Sequence, residues 1–190
     1  MQTLYKLTTQ DNKTRKGEYN ETIWGDGVSH SGTGKGLLCS SGWIHAYTSP
    51  LLAVLLNPIH ADIKDPKLWE CKGEIALSDK GLKVGCKTLM TIREIELPKV
   101  TTMQHIAFGI LCASQVFRNA EWNAWADKWL SGKDRGARAR DAALATARGA
   151  ANAAANAAAN ANAAAYAAAC TAANAAAFDL IRTAEKAMKY

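Results

Sequence analysis

Between Ala137 and Ala177, 26 of the 41 residues are alanine, and asparagines at 152, 156, 160, 162 and 174 punctuate the run. Alanine loses no side-chain entropy in a helix and is the strongest intrinsic helix former. No proline interrupts the tract, so the sequence predicts helix there. An alanine face buries little area but lets helices approach closely, so helix pairing is favoured over a lone solvated helix. One continuous helix over 135–190 would extend about 80 Å at about 1.5 Å per residue. Gly149 is the expected break, which would let the tail fold back as a hairpin. Phe178, Ile181, Ala184 and Met188 predict a second amphipathic stretch that docks on a partner helix, within the chain or in another copy. The expected assembly is a homo-oligomer formed through the tail.

The rest of the chain has an ordinary composition and enough residues to bury a core. Its expected organisation is α+β: a small N-terminal split-sheet domain over 1–100, a helical extension over 101–132 packing on it, and an Ala-rich helical tail over 133–190. Residues 3–9 and 42–48 read as strands, and 21–28 as a short one. Ser49 and Pro50 predict a capped helix over 51–56, stopped by Asn57-Pro58. Strands are expected over 67–77, 81–86 and 88–97. In the last of these, Leu89, Thr91, Arg93 and Ile95 alternate with Met90, Ile92, Glu94 and Glu96. Arg93 then points inward and needs an anionic partner, either Glu70 or a ligand phosphate. Thr101 or Thr102 caps a helix carrying Ile106, Ile110, Leu111, Ala113 and Phe117, with Asn119 as its break. Trp122, Trp125 and Trp129 define one face of a further helix.

Charge and cysteine usage narrow the setting. The net charge is +6, which permits phosphate-rich ligands without requiring them. Lys133, Arg135, Arg138, Arg140 and Arg148 gather at the front of the tail. A solvated helix entrance explains them better than a nucleic-acid surface, which is not favoured. Cys39, Cys71, Cys86, Cys112 and Cys170 form no C-x-x-C pair, so reduced, buried thiols are expected rather than disulfides or a zinc site. No signal peptide or membrane span is expected, and the predicted location is the cytoplasm.

Chemistry-bearing residues concentrate between Trp24 and His60. The loop Gly32-Thr33-Gly34-Lys35-Gly36 invites comparison with a P-loop. However, glycine follows Lys35 where Ser or Thr is required, and no glycine stands five positions before Gly34. Free N–H groups beside Lys35 remain a candidate phosphate cradle. His30, His45 and His60 fall fifteen apart, without the close pair that metal sites draw from one element, so no metal is expected. His45 and Tyr47 stand two apart in a strand and share a face. There they offer hydrogen bonds and rings to a polar ligand. The candidate ligand-binding set is Trp24, His30, Lys35, His45, Tyr47 and Arg93, with no catalytic residue and no cofactor assigned.

The segments Trp24–His30, Gly42–His60 and Leu68-Trp69-Glu70, followed by an alanine-rich tail, resemble an uncharacterised family of bacteriophage and prophage proteins. The resemblance implies a phage-encoded product in the host cytoplasm. More distantly, Gly42-Trp43-Ile44-His45-Ala46-Tyr47, the helix after Ser49-Pro50, and Ile92-Arg93-Glu94-Ile95-Glu96-Leu97 resemble ADP-ribosyltransferase-like domains. That resemblance implies a split sheet that binds NAD, with His45 near the ribose, Tyr47 stacking, and Glu94 or Glu96 catalytic. The family draws its histidine and tyrosine from different strands, whereas here they are neighbours on one. The favoured expectation is therefore a non-catalytic anti-defence protein that sequesters a nucleotide or NAD-derived signal. The alternatives are an NAD-dependent transferase, and an inhibitor that engages a host defence protein through the tail.

Overall fold

Leu4, Lys6 and Thr8 are buried along one side of the first strand, with Tyr5 and Leu7 on the other. In the computed structural model, which describes residues 1–79, 81–116, 120–135 and 179–190, that strand is β1 (Gln2–Thr8). The described chain is α+β and divides into two units, Met1–Lys99 and Val100–Tyr190.

The first unit is built on an antiparallel sheet. β1 pairs with β6 (Lys67–Ser78), and β6 with β7 (Val84–Ile95). β4 (Ser29–Ser31) and β5 (Ile44–Ala46) both add to β7. A small hairpin, β2 (Lys13–Thr14) with β3 (Thr22–Ile23), stands apart from this sheet. Three register shifts interrupt the β6–β7 ladder, between Glu70 and Cys71, Gly73 and Ile75, and Ile75 and Leu77. Such irregularities bend and twist a sheet. Here the sheet curls until its ends meet: Tyr5 and Tyr47 exchange backbone hydrogen bonds of 2.9 and 2.8 Å. Inside lie Leu4, Trp24, Ala46, Trp69, Cys71, Val84, Cys86 and Leu89.

Several expectations need correction. The strands expected over 81–86 and 88–97 are one strand, β7. Its exposed Lys87-Thr88 step interrupts the apolar pattern without turning the chain. The strand expected over 21–28 is only Thr22–Ile23. Beyond it, Gly27 N–H donates to Thr91 O, and Thr91 N–H to Val28 O, so residues 25–28 are stitched as a turn onto β7.

Helix α1 (Pro50–His60) begins as expected, with Ser49 as its N-cap and Pro50 in the first turn. It does not stop at Asn57-Pro58. Pro58 lacks the N–H that would bond back into the helix, but it sits exposed in the last turn. Asn57 supplies the actual exit. Its carbonyl accepts from Ala61 N–H (3.0 Å) and Asp62 N–H (2.7 Å). Its side chain brackets Ile63, donating to the carbonyl at 2.9 Å and accepting the N–H at 3.0 Å. The helix therefore runs far enough to carry His60. Leu52, Ala53, Leu55 and Leu56 are its buried positions, and it packs on β1.

In the second unit, α2 (Thr102–Val116) starts with a reciprocal cap between Thr101 and Gln104. Ile106, Ile110 and Leu111 are buried as expected. In α3 (Ala120–Leu130), Trp129 is fully buried and the Arg135 guanidinium lies over its ring at 5.1 Å. α4 (Leu180–Ala187), capped by Asp179, packs on α2, where Gln104 Nε2 donates to Met188 O at 3.0 Å. Its buried face is Leu180, Ala184 and Ala187; of the expected face, Ala184 is buried, Met188 is half-buried and Ile181 is exposed. The alanine tract, Gly149, Phe117, Asn119 and Phe178 lie outside the described residues, as does the tail pairing expected there. Among the described residues, no helix is long and apolar enough to cross a membrane.

Candidate functional site

The wall formed by β1, β5 and β7 presents different chemistry on its two faces. Residues paired across an antiparallel ladder point the same way. Ile44 pairs with Cys86 and Ala46 with Val84, and all four belong to or pack on the core. His45, paired with Gly85, and Tyr47 therefore occupy the opposite, outer face. Leu38 folds over Gly85 so closely that a Cβ there would lie 2.6 Å from Leu38 Cδ1. On the other side, α1 delivers His60. The ring of His60 stacks on Tyr47 at 5.8 Å with 17° between planes, and Tyr47 Oη meets His60 Nδ1 at 3.0 Å.

His45 and His60 thus share a corner between the end of α1 and the loop that carries Leu38. Both are neutral at pH 7. Burial is the main cause of the His45 depression to about 4, helped by the charges of Lys83, Lys6 and Arg15 and opposed by its bond to Leu38 O. His60 is also held at about 4, again by burial first, then by Lys83 and His45. Burial pushes the Tyr47 hydroxyl up, so it keeps its proton. It shares one hydrogen bond with His60 Nδ1, whose donor depends on which ring nitrogen of His60 carries the hydrogen. His45 Nε2 donates to Leu38 O, so its Nδ1 carries a lone pair. Neither His45 Nδ1 nor His60 Nε2 has a hydrogen-bond partner among the described residues. Neither is sealed, because the buried side-chain atoms without partners are Asn20 Oδ1 and Trp129 Nε1. Lys83 completes the corner and has no ion pair among the described residues.

The inner face holds Lys6. Its ammonium donates to His45 O at 2.9 Å and lies 4.8 Å from the centre of the Trp24 ring. The Tyr5–Tyr47 bridge is an isolated one, and Lys6 extends the closure of the sheet with a side-chain donor. Burial lowers its pKa to about 8. Lys6 and Lys83 escaped the sequence-based candidate set. Lys6 had a legible signal, because it stands between Leu4 and Thr8 at an inward position. Lys83 had none: its place depends on which strand pairs with β5.

The remaining expected site residues are dispersed. Trp24 is a core residue whose Nε1 donates to Thr14 Oγ1 at 3.0 Å. His30 sits edge-on to Trp24 at 4.7 Å and holds Ile23 O at 2.8 Å. Lys35 is exposed on its loop. The glycines around it serve close backbone approach: a Cβ on Gly42 would lie 1.9 Å from Lys35 O, and one on Gly32 would lie 2.3 Å from Gly42 O. Gly32 and Gly34 N–H already donate to Lys87 O and Gly42 O, so they do not form a free phosphate cradle. Arg93 does not point inward. It is exposed, and its partner is the expected Glu70, at 2.7 Å. Glu94 pairs with Lys67 near the end of β7 far from Gly85, about 30 Å along the strand at about 3.3 Å per residue. His45 and Glu94 are not brought together. Of the cysteines, Cys71 and Cys86 are buried and Cys39 is exposed, contrary to the expectation of buried thiols throughout. Among the described residues, no group of three or more His, Cys, Asp or Glu is placed to hold a metal ion.

Compared with known proteins, the chain matches no family model, no curated protein and no solved structure.

Proposed function

We propose that residues 1–99 form a binding module that captures a nucleotide-type, phosphate-bearing small molecule at the His45–Tyr47–His60–Lys83 corner and does not alter it chemically. The observation that carries this reading is Lys83: a lysine without a carboxylate partner among the described residues, beside two neutral imidazoles that each keep an open ring nitrogen. A uniformly cationic and neutral corner attracts anions. Among the described residues no carboxylate pairs with Lys83 or acts on either imidazole. That counts against the ADP-ribosyltransferase-like alternative, which needs Glu94 or Glu96 beside His45. Tyr47 contributes by holding His60 through Nδ1; its own ring is 8% exposed and offers little face to a stacked base.

The cellular setting belongs to the same proposal. The resemblance to phage and prophage proteins suggests an anti-defence role in the host cytoplasm, removing a nucleotide or NAD-derived signal by affinity alone. The alanine-rich tail would then assemble copies into a homo-oligomer. An inhibitor of a host defence protein acting through the tail remains the second reading, supported by the unusual composition of that segment.

Native mass spectrometry of the protein purified from cells, followed by denaturation and identification of released molecules, tests ligand and assembly together. A retained phosphate-bearing molecule, lost in Lys83→Glu, is the expected result. A protein that emerges empty and binds no nucleotide in calorimetry overturns the binding reading and moves the function to the tail.

A further inference from the structure

The hydrogen-bond pattern fixes what His45 presents to an anion. Leu38 O is a carbonyl and can only accept, so the hydrogen of the neutral His45 ring stands on Nε2 and Nδ1 presents a lone pair. An anionic oxygen is repelled there until His45 gains a proton on Nδ1. At His60, Tyr47 engages Nδ1 and Nε2 is the open nitrogen.

We propose that the corner binds a dianionic phosphate-type group together with one proton, which is taken up on His45 Nδ1, so that binding is coupled to pH. The inference rests on the anion-binding reading above and adds to it the protonation state of the bound form. On binding, the anion reverses the local field. In the free protein the charged groups acting on His45 are Lys83 just before β7, Lys6 on β1 and Arg15 from the loop after β2; His60 on α1 and Tyr47 beside it are neutral, and no carboxylate among the described residues acts on it. All three charges are positive and oppose a further one. A dianion beside Lys83 offsets them and favours the imidazolium. The bound proton then turns His45 Nδ1 into a charge-assisted donor to the anion while Nε2–H keeps its bond to Leu38 O. No bond to the ligand is made or broken; the proton comes from water.

The test uses the full chain and inorganic sulfate, whose charge stays constant over the range while its shape matches a phosphoryl group. Calorimetry at about pH 6 in two buffers of different ionisation enthalpy reads the protons taken up. The expected result is an uptake approaching one, with affinity rising by as much as about tenfold per unit of pH between about pH 7 and pH 5. Circular dichroism at each pH confirms that the chain is folded. Sulfate binding with equal affinity across this range and no proton uptake overturns the coupling and leaves the anion site standing. Absence of sulfate binding to folded protein at every pH overturns both. His45→Asn keeps a polar side chain and removes the titrating ring. If that variant still takes up a proton on binding, the assignment to His45 is wrong.

Discussion

Lys6 and Lys83 reach opposite faces of one curled wall, and neither has an ion pair among the described residues. Their surroundings give them different tasks. Lys6 is sealed between the Trp24 ring and His45 O, where its ammonium closes the gap between β1 and β5. Lys83 is half-buried beside two imidazoles with open nitrogens. A buried charge with one hydrogen bond and an indole face is a structural member whose desolvation the fold must absorb. A solvent-reaching charge among neutral donors is free to meet an incoming anion. Chemical type alone does not separate a structural lysine from a binding one; the face of the sheet does.

The largest effect expected of a single substitution breaks the inner side of this comparison. Lys6→Ala leaves a cavity and an unsatisfied His45 carbonyl, and should cost about 3 kcal/mol in urea unfolding. Lys6→Met fills the same space without a charge and should cost about 1 kcal/mol, since removing a poorly solvated ammonium offsets the lost hydrogen bond. A loss below about 1 kcal/mol in Lys6→Ala would mean that the ammonium does not hold the sheet closed.

Acid probes the outer side. His45 and His60 ionise at about 4 in the fold against 6.5 as ordinary histidines. Below pH 6.5 the unfolded chain binds protons that the folded chain refuses, so stability falls as pH drops toward 4. Allowing for partial solvent screening, the loss is roughly 2 kcal/mol for each histidine. Urea titrations at pH 7 and 4.5 measure it, and the His45→Asn, His60→Asn double variant should flatten the dependence. A dependence equally steep in the double variant would place the acid sensitivity elsewhere.

Alkali returns to the inner side with a smaller effect of opposite sign. Lys6 deprotonates at about 8 in the fold, against 10.5 for an ordinary lysine. As pH rises from 8, the folded chain releases this proton before the unfolded chain does, so stability increases. The buried thiols oppose this: Cys71 is pushed up to about 12 by burial, so as pH rises toward 9 its ionisation favours the unfolded chain. Between pH 8 and 9 Lys6 should add about 1 kcal/mol, a gain that the raised thiols Cys71, Cys86 and Cys112 largely cancel, so it is read as the difference in pH dependence between the native chain and Lys6→Met. Lys6→Met should lack this gain.

Local chemistry was legible in the sequence; what depends on pairing across the sheet was not. Ser49-Pro50 announced the start of α1 and Thr101 that of α2, because caps act on groups within one turn. The alternation in β1 and the shared face of His45 and Tyr47 followed from strand periodicity. The single strand β7 was hidden because Lys87-Thr88 breaks its apolar pattern while its backbone ladder continues. The exit of α1 was misread because Asn57-Pro58 is a stop signal by composition, whereas the Asn57 side chain and carbonyl end the helix a few residues later. That small difference decides the site, since it carries His60 to Tyr47. Lys83 enters the corner only through the pairing of β5 with the start of β7, a contact between distant segments that periodicity cannot express.

The smallest stability effect sharpens the comparison most. Lys83→Met removes a charge that opposes protonation of both imidazoles. At pH 7 its effect on unfolding should stay within about 0.5 kcal/mol. In acid it should make the chain slightly more resistant, because the folded-state histidine pKa values rise toward 6.5 and the unfolded chain loses part of its advantage in binding protons. Sulfate affinity should fall by about tenfold, the loss of one charge-assisted contact. Lys6→Met should show the reverse profile, a change in stability with sulfate affinity altered by less than about threefold, because its ammonium acts from behind the wall. The same substitution on the two faces of one wall then separates holding the sheet closed from holding a ligand. If both variants lose stability equally and neither changes sulfate affinity, Lys83 is a second structural lysine and the outer corner is not an anion site.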